Sequence, residues 1–147
     1  MSSIFRSGKQ ADPAAPFDRG HYYESVACRW LKKQKFKVLE RNFRADDSEI
    51  DVIAKQKDLL CFIEVKARRA NAAKHPLARI DRTKLFGIRR AAEIYLSRLR
   101  SMGVDLAPLA VRFDALTVEF DGEGQAVSVH HYPAYLEPSD ADFRLTL

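Results

Sequence analysis

Two apolar strands interrupted by charges are the feature that most constrains this sequence. They lie in SEIDVIAKQKDLLCFIEVKAR, from Ser48 to Arg68, where KQKD supplies the turn of a β-hairpin. The Val, Ile, Leu and Phe content predicts strands deep in a sheet, where an unpaired charge is costly. The charges within these strands therefore need an explanation. They are Glu49, Asp51, Glu64 and Lys66.

The rest of the chain predicts one α/β domain built around this hairpin. A length of 147 residues with 46% hydrophobic content is enough for a single core. The long helix between the third and fourth strands predicts a parallel pair, whereas the first three strands form an antiparallel meander. The fold is a mixed sheet of about five strands in the order α-β-β-β-α-β-β. We expect helices at 18–34 and 81–102, capped by Asp18 and Asp81, and strands at 36–44, 49–54, 60–67, 109–120 and 126–132.

The ends of the chain and its composition exclude several classes of protein. Residues 1–16 predict a flexible tail, residues 17–135 the folded domain, and residues 136–147 an acidic tail. No apolar run approaches the roughly 20 residues of a membrane span, and the N-terminal segment lacks the apolar stretch of a signal peptide. Cys28 and Cys61 are too few for a disulfide scaffold or a zinc site, so we expect buried free thiols. We therefore expect a cytoplasmic protein.

Charge is distributed unevenly along the chain. Residues 66–100 contain 11 basic and 2 acidic side chains, a net charge of +9, whereas residues 1–65 carry +2 and residues 101–147 carry −6. A basic run alone is usually a solvated helix face. Here the run directly follows the charged hairpin, and this position favours the other interpretation, a surface that attracts a polyanion.

Strand alternation brings some of the hairpin charges together. Glu64 and Lys66 lie on one face of the third strand, and Asp51 and Ile53 are expected to share one face of the second. If these faces agree, Asp51 and Glu64 meet beside Lys66 at one end of the sheet. With the carbonyl of Val65, the two carboxylates offer the oxygen ligands that Mg²⁺ or Mn²⁺ prefers. The alternative is an ion-pair cluster in which Lys66 only neutralises Glu64, and the spacing leaves both interpretations open.

Four segments together resemble a known family. GHYYESVACRWLKKQKFKVLERNFR, SEIDVIA, FIEVKAR and VRFDALTV occur in the order found in the YraN family, small bacterial proteins of poorly defined role. The resemblance covers residues 20–132. This family is similar to archaeal Holliday-junction resolvases and shares the PD-(D/E)XK nuclease fold. The resemblance therefore implies a restriction-endonuclease-like three-layer fold, a Mg²⁺ or Mn²⁺ cofactor, DNA as the substrate and, by analogy with resolvases, a homodimer.

The resemblance also implies roles for particular residues. Asp51, Glu64 and Lys66 correspond to the D…ExK catalytic motif, and Glu24 on the first helix to its additional acidic residue. The metal ligands would be Asp51, Glu64 and the carbonyl of Val65. We expect the nucleic-acid contacts to come from Arg44, Glu49, Arg68, Arg69, Arg82, Lys84 and Arg89.

Two positions depart from the family pattern. Ser48 stands where the family usually has a glycine before its conserved acidic residue, so the local turn is expected to differ. The loop at 72–79 lacks the aromatic–glycine pair that is common there, which leaves its substrate contacts open. The catalytic positions are intact.

Three functions are compatible with this sequence. The first is a Mg²⁺-dependent endonuclease acting on DNA, branched structures included. The second is a nucleic-acid-binding module that keeps the nuclease fold without catalysis. The third is a protein-interaction adaptor whose acidic tail screens its own basic face. Metal-dependent cleavage separates the first from the others, and salt-sensitive DNA binding separates the second from the third.

Overall fold

A computed structural model describes residues 18–75 and 81–136 of the chain. The predicted tail at 1–16, and all but Leu136 of the predicted tail at 136–147, lie outside the described residues. The order of elements is the predicted one. The elements are α1 (Arg19–Lys33), β1 (Lys37–Ala45), β2 (Ser48–Gln56), β3 (Leu59–Arg69), α2 (Arg82–Ser101), β4 (Ala110–Phe120) and β5 (Ala126–Tyr132).

The five strands form one mixed sheet in the order β1-β2-β3-β4-β5. The β3–β4 pair is parallel and the other three pairs are antiparallel, which confirms the predicted crossover through α2. The helices begin where predicted, because Asp18 accepts a hydrogen bond from the amide of Gly20 and Asp81 from that of Lys84. Neither helix is long and apolar enough to cross a membrane.

Each helix covers one face of the sheet, so the fold has three layers. The α1 side buries Leu31 against Val52 and Ile63, and both cysteines are buried free thiols on this side. The α2 side buries Ile88 and other helix residues against Phe62. Two apolar clusters therefore hold the sheet from opposite faces.

The two central strands separate before they end. Hydrogen-bonded pairing between β2 and β3 runs from Gln56 and Leu59 to Val52 and Ile63, and no further. Beyond this point β3 stays paired with β4, while β2 stays paired with β1. A gap therefore opens between β2 and β3 near Asp51.

Strict alternation is interrupted in β2 next to this gap. Ile50 and Ile53 both pack in the α2-side cluster, although three positions separate them, and Val52 packs on the α1 side. The Asp51 carboxylate lies near Glu24 of α1 instead of sharing a face with Ile53. The predicted alternation is wrong here because β2 leaves its ladder with β3 and is no longer held flat from both sides.

A buried carboxylate fixes the segment that follows β5. Asp114 in β4 is fully buried and accepts hydrogen bonds from the Arg112 guanidinium at 2.7 and 2.9 Å and from the amide of Ala134 at 2.9 Å. His131 Nε2 lies 2.8 Å from Asp114 Oδ2. Burial opposes ionisation, but the hydrogen bonds from His131, Arg112 and Ala134 outweigh it and lower the pKa of Asp114 to about 2. The turn after β5 is therefore tied to the centre of the sheet.

Candidate metal and nucleic-acid site

Four carboxylates surround the gap between β2 and β3. Glu24 comes from α1, Glu49 and Asp51 from β2, and Glu64 from β3. One oxygen from each of Glu24, Glu49 and Asp51 lies within 4.8 Å of the others. Glu64 is close enough to Asp51 to influence its ionisation directly. The structure thus brings together the three acidic residues predicted as catalytic and adds Glu49 to them.

Asp51 occupies the gap itself. Its Oδ2 accepts a hydrogen bond of 2.8 Å from the amide of Val65, so the carboxylate replaces the β2 backbone as the partner of β3. The pKa of Asp51 is raised to about 7, mainly by burial, then by the charge of Glu64, and to a smaller extent by that of Glu24. The hydrogen bond from the Val65 amide acts in the opposite direction. The carboxylates therefore repel one another, as expected of a site that compensates them with a cation.

Glu64 is the most deeply buried of the four and is held by two lysines. Its side chain is 3% exposed, with Oε1 at 3.4 Å from Lys66 Nζ and 3.3 Å from Lys84 Nζ. Its other oxygen, Oε2, is buried and has no hydrogen-bond partner among the described residues. Lys84 belongs to the first turn of α2, so that helix contributes directly to the site.

Glu24 and Glu49 complete the cluster from the other side. Glu24 Oε2 is also buried without a hydrogen-bond partner in the described part of the chain. Burial raises the pKa of Glu24, and a hydrogen bond from the Asn42 side chain partly offsets this effect. Glu49 instead pairs with the exposed Arg44, whose Nε lies 2.8 Å from Glu49 Oε2.

This donor set fits a divalent cation with hard oxygen ligands. Two buried carboxylate oxygens, on Glu24 and Glu64, lack hydrogen-bond partners among the described residues, and such atoms are rare unless a water or an ion satisfies them. The repulsion that raises the pKa of Asp51 points the same way. Carboxylates of this kind suit Mg²⁺ or Mn²⁺. Glu24, Glu49 and Asp51 are close enough to share one ion, and the predicted ligands Glu64 and Val65 lie beside Asp51, Glu64 through its charge and Val65 through its amide.

Four of the six basic residues predicted to contact nucleic acid are exposed. Arg44, paired with Glu49, and Lys84, paired with Glu64, are exposed at the site, and Arg82 is exposed at the first position of α2, two residues before Lys84. Arg69 is also exposed, but it alternates with Arg68 and so lies on the opposite, α1 face of β3. Of these four, Arg44 and Lys84 contact carboxylates of the site directly, at Glu49 and Glu64.

The other two predicted arginines have structural contacts. Arg68 donates hydrogen bonds to the carbonyls of Ala72 and Lys74, which orders the loop after β3. Arg89 is 5% exposed, donates to the carbonyl of Leu136 and lies over the ring of Phe113. The basic helix pattern gave no indication that Arg89 is buried, because the residues that cover it follow β5.

Sequence reasoning missed two contributors to this region. The Asn42 side chain hydrogen-bonds to Glu24. Asn42 has a left-handed backbone, with φ of 53°, and the strand pattern of FKVLERNFR does not predict this conformation. The departure at Ser48 is accommodated by α2, because Ser48 lies directly against Gly87, which has no Cβ to collide with the Ser48 hydroxyl. The single glycine inside the helical pattern of α2, Gly87, was the available signal.

The fold and the site define the class of this protein. A three-layer α/β domain, with acidic residues gathered where two central strands separate, has the restriction-endonuclease-like architecture predicted above. The family model described as "Uncharacterised protein family UPF0102" matches residues 23–118, a range that includes all four carboxylates. The chain therefore belongs to the UPF0102 family, which is the YraN family, and the predicted membership is confirmed.

Individual relatives support this membership over most of their length. A UPF0102 protein of Acetivibrio thermocellus is 37% identical over 111 residues, which is 75% of this chain and 82% of the relative. One from Streptomyces griseus is 38% identical over 111 residues, covering 76% of this chain and 90% of the relative. One from Syntrophotalea carbinolica is 35% identical over 114 residues, 78% of this chain and 87% of the relative.

Proposed function

We propose that this protein is a Mg²⁺-dependent endonuclease that acts on DNA. The observation that carries the proposal is the acidic cluster at the strand gap, in which Lys66 contacts the buried Glu64. The adjoining start of α2 adds exposed positive charge from Arg82 and Lys84, which favours a phosphate backbone as the ligand. DNA, a divalent cation and a cytoplasmic location are parts of this proposal.

Each side chain has a distinct role in the proposed reaction. Asp51, Glu64 and Glu24 would hold the cation, which when bound acts as a Lewis acid toward phosphoryl oxygens and water. Lys66 is 37% exposed and 3.4 Å from Glu64, so its ammonium can also face a phosphate and stabilise the charge that develops during cleavage. Lys84, which pairs with the same Glu64 carboxylate, would position the DNA strand.

A second candidate function is nucleic-acid binding without catalysis. Lys66 and Lys84 both lie within 3.4 Å of Glu64, so these two cations already compensate the most buried carboxylate. An ion-pair cluster of this kind needs no metal to be stable. The same basic surface would then serve binding alone.

Cleavage assays with matched variants test the proposal. Purified protein is incubated with linear, flapped and four-way DNA in Mg²⁺, Mn²⁺ or EDTA. We expect cleavage only with a divalent cation. We expect Lys66→Ala to keep metal and DNA binding but to cleave at least roughly a hundredfold more slowly, since losing one preorganised charge contact costs about 10²–10³ in rate. Lys33→Ala, exposed at the end of α1, is the control and should match the parent.

The opposite outcome is equally specific. If the parent cleaves none of these substrates in Mg²⁺ or Mn²⁺, and Lys66→Ala melts at a clearly lower temperature in EDTA, the cluster is a structural ion-pair network. Leaving a buried charge without any partner costs about 3–5 kcal/mol; because Lys84 would still pair with Glu64, we expect a smaller loss for Lys66→Ala.

A further inference from the structure

Three aromatic rings form an exposed platform near the strand β5, two strands away from Glu64. It consists of His75, Tyr132 and Tyr135, and we call it the aromatic platform. The His75 and Tyr135 rings are stacked, with centroids 6.3 Å apart and planes at 14°. Tyr132 lies 5.9 Å from Tyr135 and 6.3 Å from His75. His75 is exposed and Tyr135 is 44% exposed, so large ring surfaces face solvent.

The turn that carries Tyr135 is held rigidly. The next residue, Leu136, is buried, and its amide donates to the carbonyl of Phe113 at 3.1 Å. The buried Arg89 donates to the carbonyl of Leu136 at 3.3 Å. On the other side of Tyr135, the amide of Ala134 donates to Asp114. An aromatic ring on a fixed turn loses little conformational freedom when a ligand stacks on it.

The aromatic platform lies on the same face of the sheet as Glu64. The strand registers place Glu64 opposite Ala115, and Ala115 opposite Tyr132. Ala115 and Tyr132 both pack with the α2-side cluster, and Glu64 meets Lys84 of α2 on that side. Two strand spacings separate Tyr132 from Glu64, which is about 10 Å between their backbones. This is the distance scale of one to two nucleotides along an extended strand.

A second row of paired residues, with polar side chains, runs parallel to the row from Glu64 to Tyr132. Two residues further along β3, Lys66 lies opposite Thr117, which lies opposite His130 on β5. Thr117 is fully buried, and its hydroxyl has no hydrogen-bond partner in the described part of the chain. Lys66 and the half-exposed His130 therefore lie on the same face as the platform, and His130 Nε2 is 3.8 Å from Glu119 Oε1. The Lys66 ammonium, whose side chain is 37% exposed, is the group of this row that can contact a phosphate.

We propose that the aromatic platform stacks an unpaired base of a DNA strand whose neighbouring phosphate lies at the carboxylate cluster. This inference rests on the proposed function and names its substrate class. A base inside a duplex has both faces covered by its neighbours, so only a single-stranded or splayed base can stack on a protein ring. The preferred substrate is therefore DNA with a single-stranded segment next to the cleavage point, such as a flap, and not continuous duplex.

Equilibrium binding in EDTA, where no cleavage occurs, tests the platform. Fluorescence anisotropy compares a single-stranded oligonucleotide with a duplex of the same length. Tyr135→Ala should weaken single-strand binding about tenfold, because base–aromatic stacking is worth about 1–3 kcal/mol per base. It should change duplex binding by less than about twofold, since phosphate contacts remain. Tyr135→Phe keeps the ring and should bind like the parent, as should Met102→Ala, an exposed apolar residue beyond the end of α2.

The possible failures are distinguishable. Equal losses for single strand and duplex, or no loss for either, would refute the aromatic platform, whether or not the parent cleaves DNA. Tighter binding of single-stranded RNA than of the matching DNA would refute DNA as its occupant. A selective loss with Tyr135→Ala, from a parent that cleaves nothing in Mg²⁺, would keep the platform and refute the nuclease. Melting temperatures of all variants in EDTA control for the fold.

Discussion

The charge on Asp51 should destabilise the metal-free protein, and Asp51→Asn should relieve this. Burial and the neighbouring Glu64 raise the pKa of Asp51 to about 7. This is about three units above an ordinary aspartate, or about 4 kcal/mol when the group is fully ionised. Asp51 is partly exposed, and solvent screening reduces the expected gain to about 2 kcal/mol at pH 8. For a chain of this size, that raises the melting temperature by roughly 4–8 °C.

The pH dependence follows from the direction of the shift. A carboxyl group whose pKa is raised by folding contributes stability below about pH 4, and this contribution is lost as the pH rises through 7. The advantage of Asp51→Asn should therefore be large at pH 8 and much smaller at pH 5. The amide of Val65 keeps an acceptor in the variant, because the Asn side chain retains one carbonyl oxygen.

Thermal and urea denaturation in EDTA at the two pH values measure this effect. Isothermal titration with Mn²⁺ then tests the other half of the prediction, since Asp51→Asn should bind the ion much more weakly than the parent. A variant that is less stable than the parent at pH 8 in EDTA would refute the electrostatic argument and make Asp51 an ordinary structural hydrogen-bond acceptor. A variant that binds Mn²⁺ as well as the parent would remove Asp51 from the proposed metal site.

Two further predictions concern α2. If Arg82 and Lys84 contact phosphates, changing both to alanine should flatten the slope of log K against log salt by up to about two units, at about 0.9 per contact. The control, Arg29→Ala on α1, should leave the slope unchanged. An unaltered slope in the double variant would mean that the basic segment is a solvated surface. Gly87→Ala should lower the free energy of unfolding by about 1–2 kcal/mol, because its new Cβ would collide with the Ser48 hydroxyl and lie 3.2 Å from the Ser48 Cβ. Adding Ser48→Gly should reverse this loss, since alanine is the better helix residue, and additive effects in urea denaturation would contradict the contact.

Much of this fold could be predicted from local sequence patterns. Asp18 and Asp81 begin the two helices as expected, and the strand at 126–132 has the predicted bounds. The proximity of Glu64 and Lys66 was equally predictable, because residues two apart on one strand share a face. Periodicity and capping depend on near neighbours in the chain, so the sequence alone contains them.

Only the tertiary structure decided how the site is assembled. Asp51 enters the gap because β2 and β3 separate after Val52, and no periodic signal in β2 indicates that separation. Arg89 is buried because the turn after β5 folds over it, and the same turn brings Tyr135 against His75 from a distant part of the chain. A hydrophobic pattern specifies which face of an element is buried, whereas the partner on that face depends on long-range packing and register. For this reason the sequence determined the elements and the acidic motif, and the packing of the sheet determined which side chains meet there.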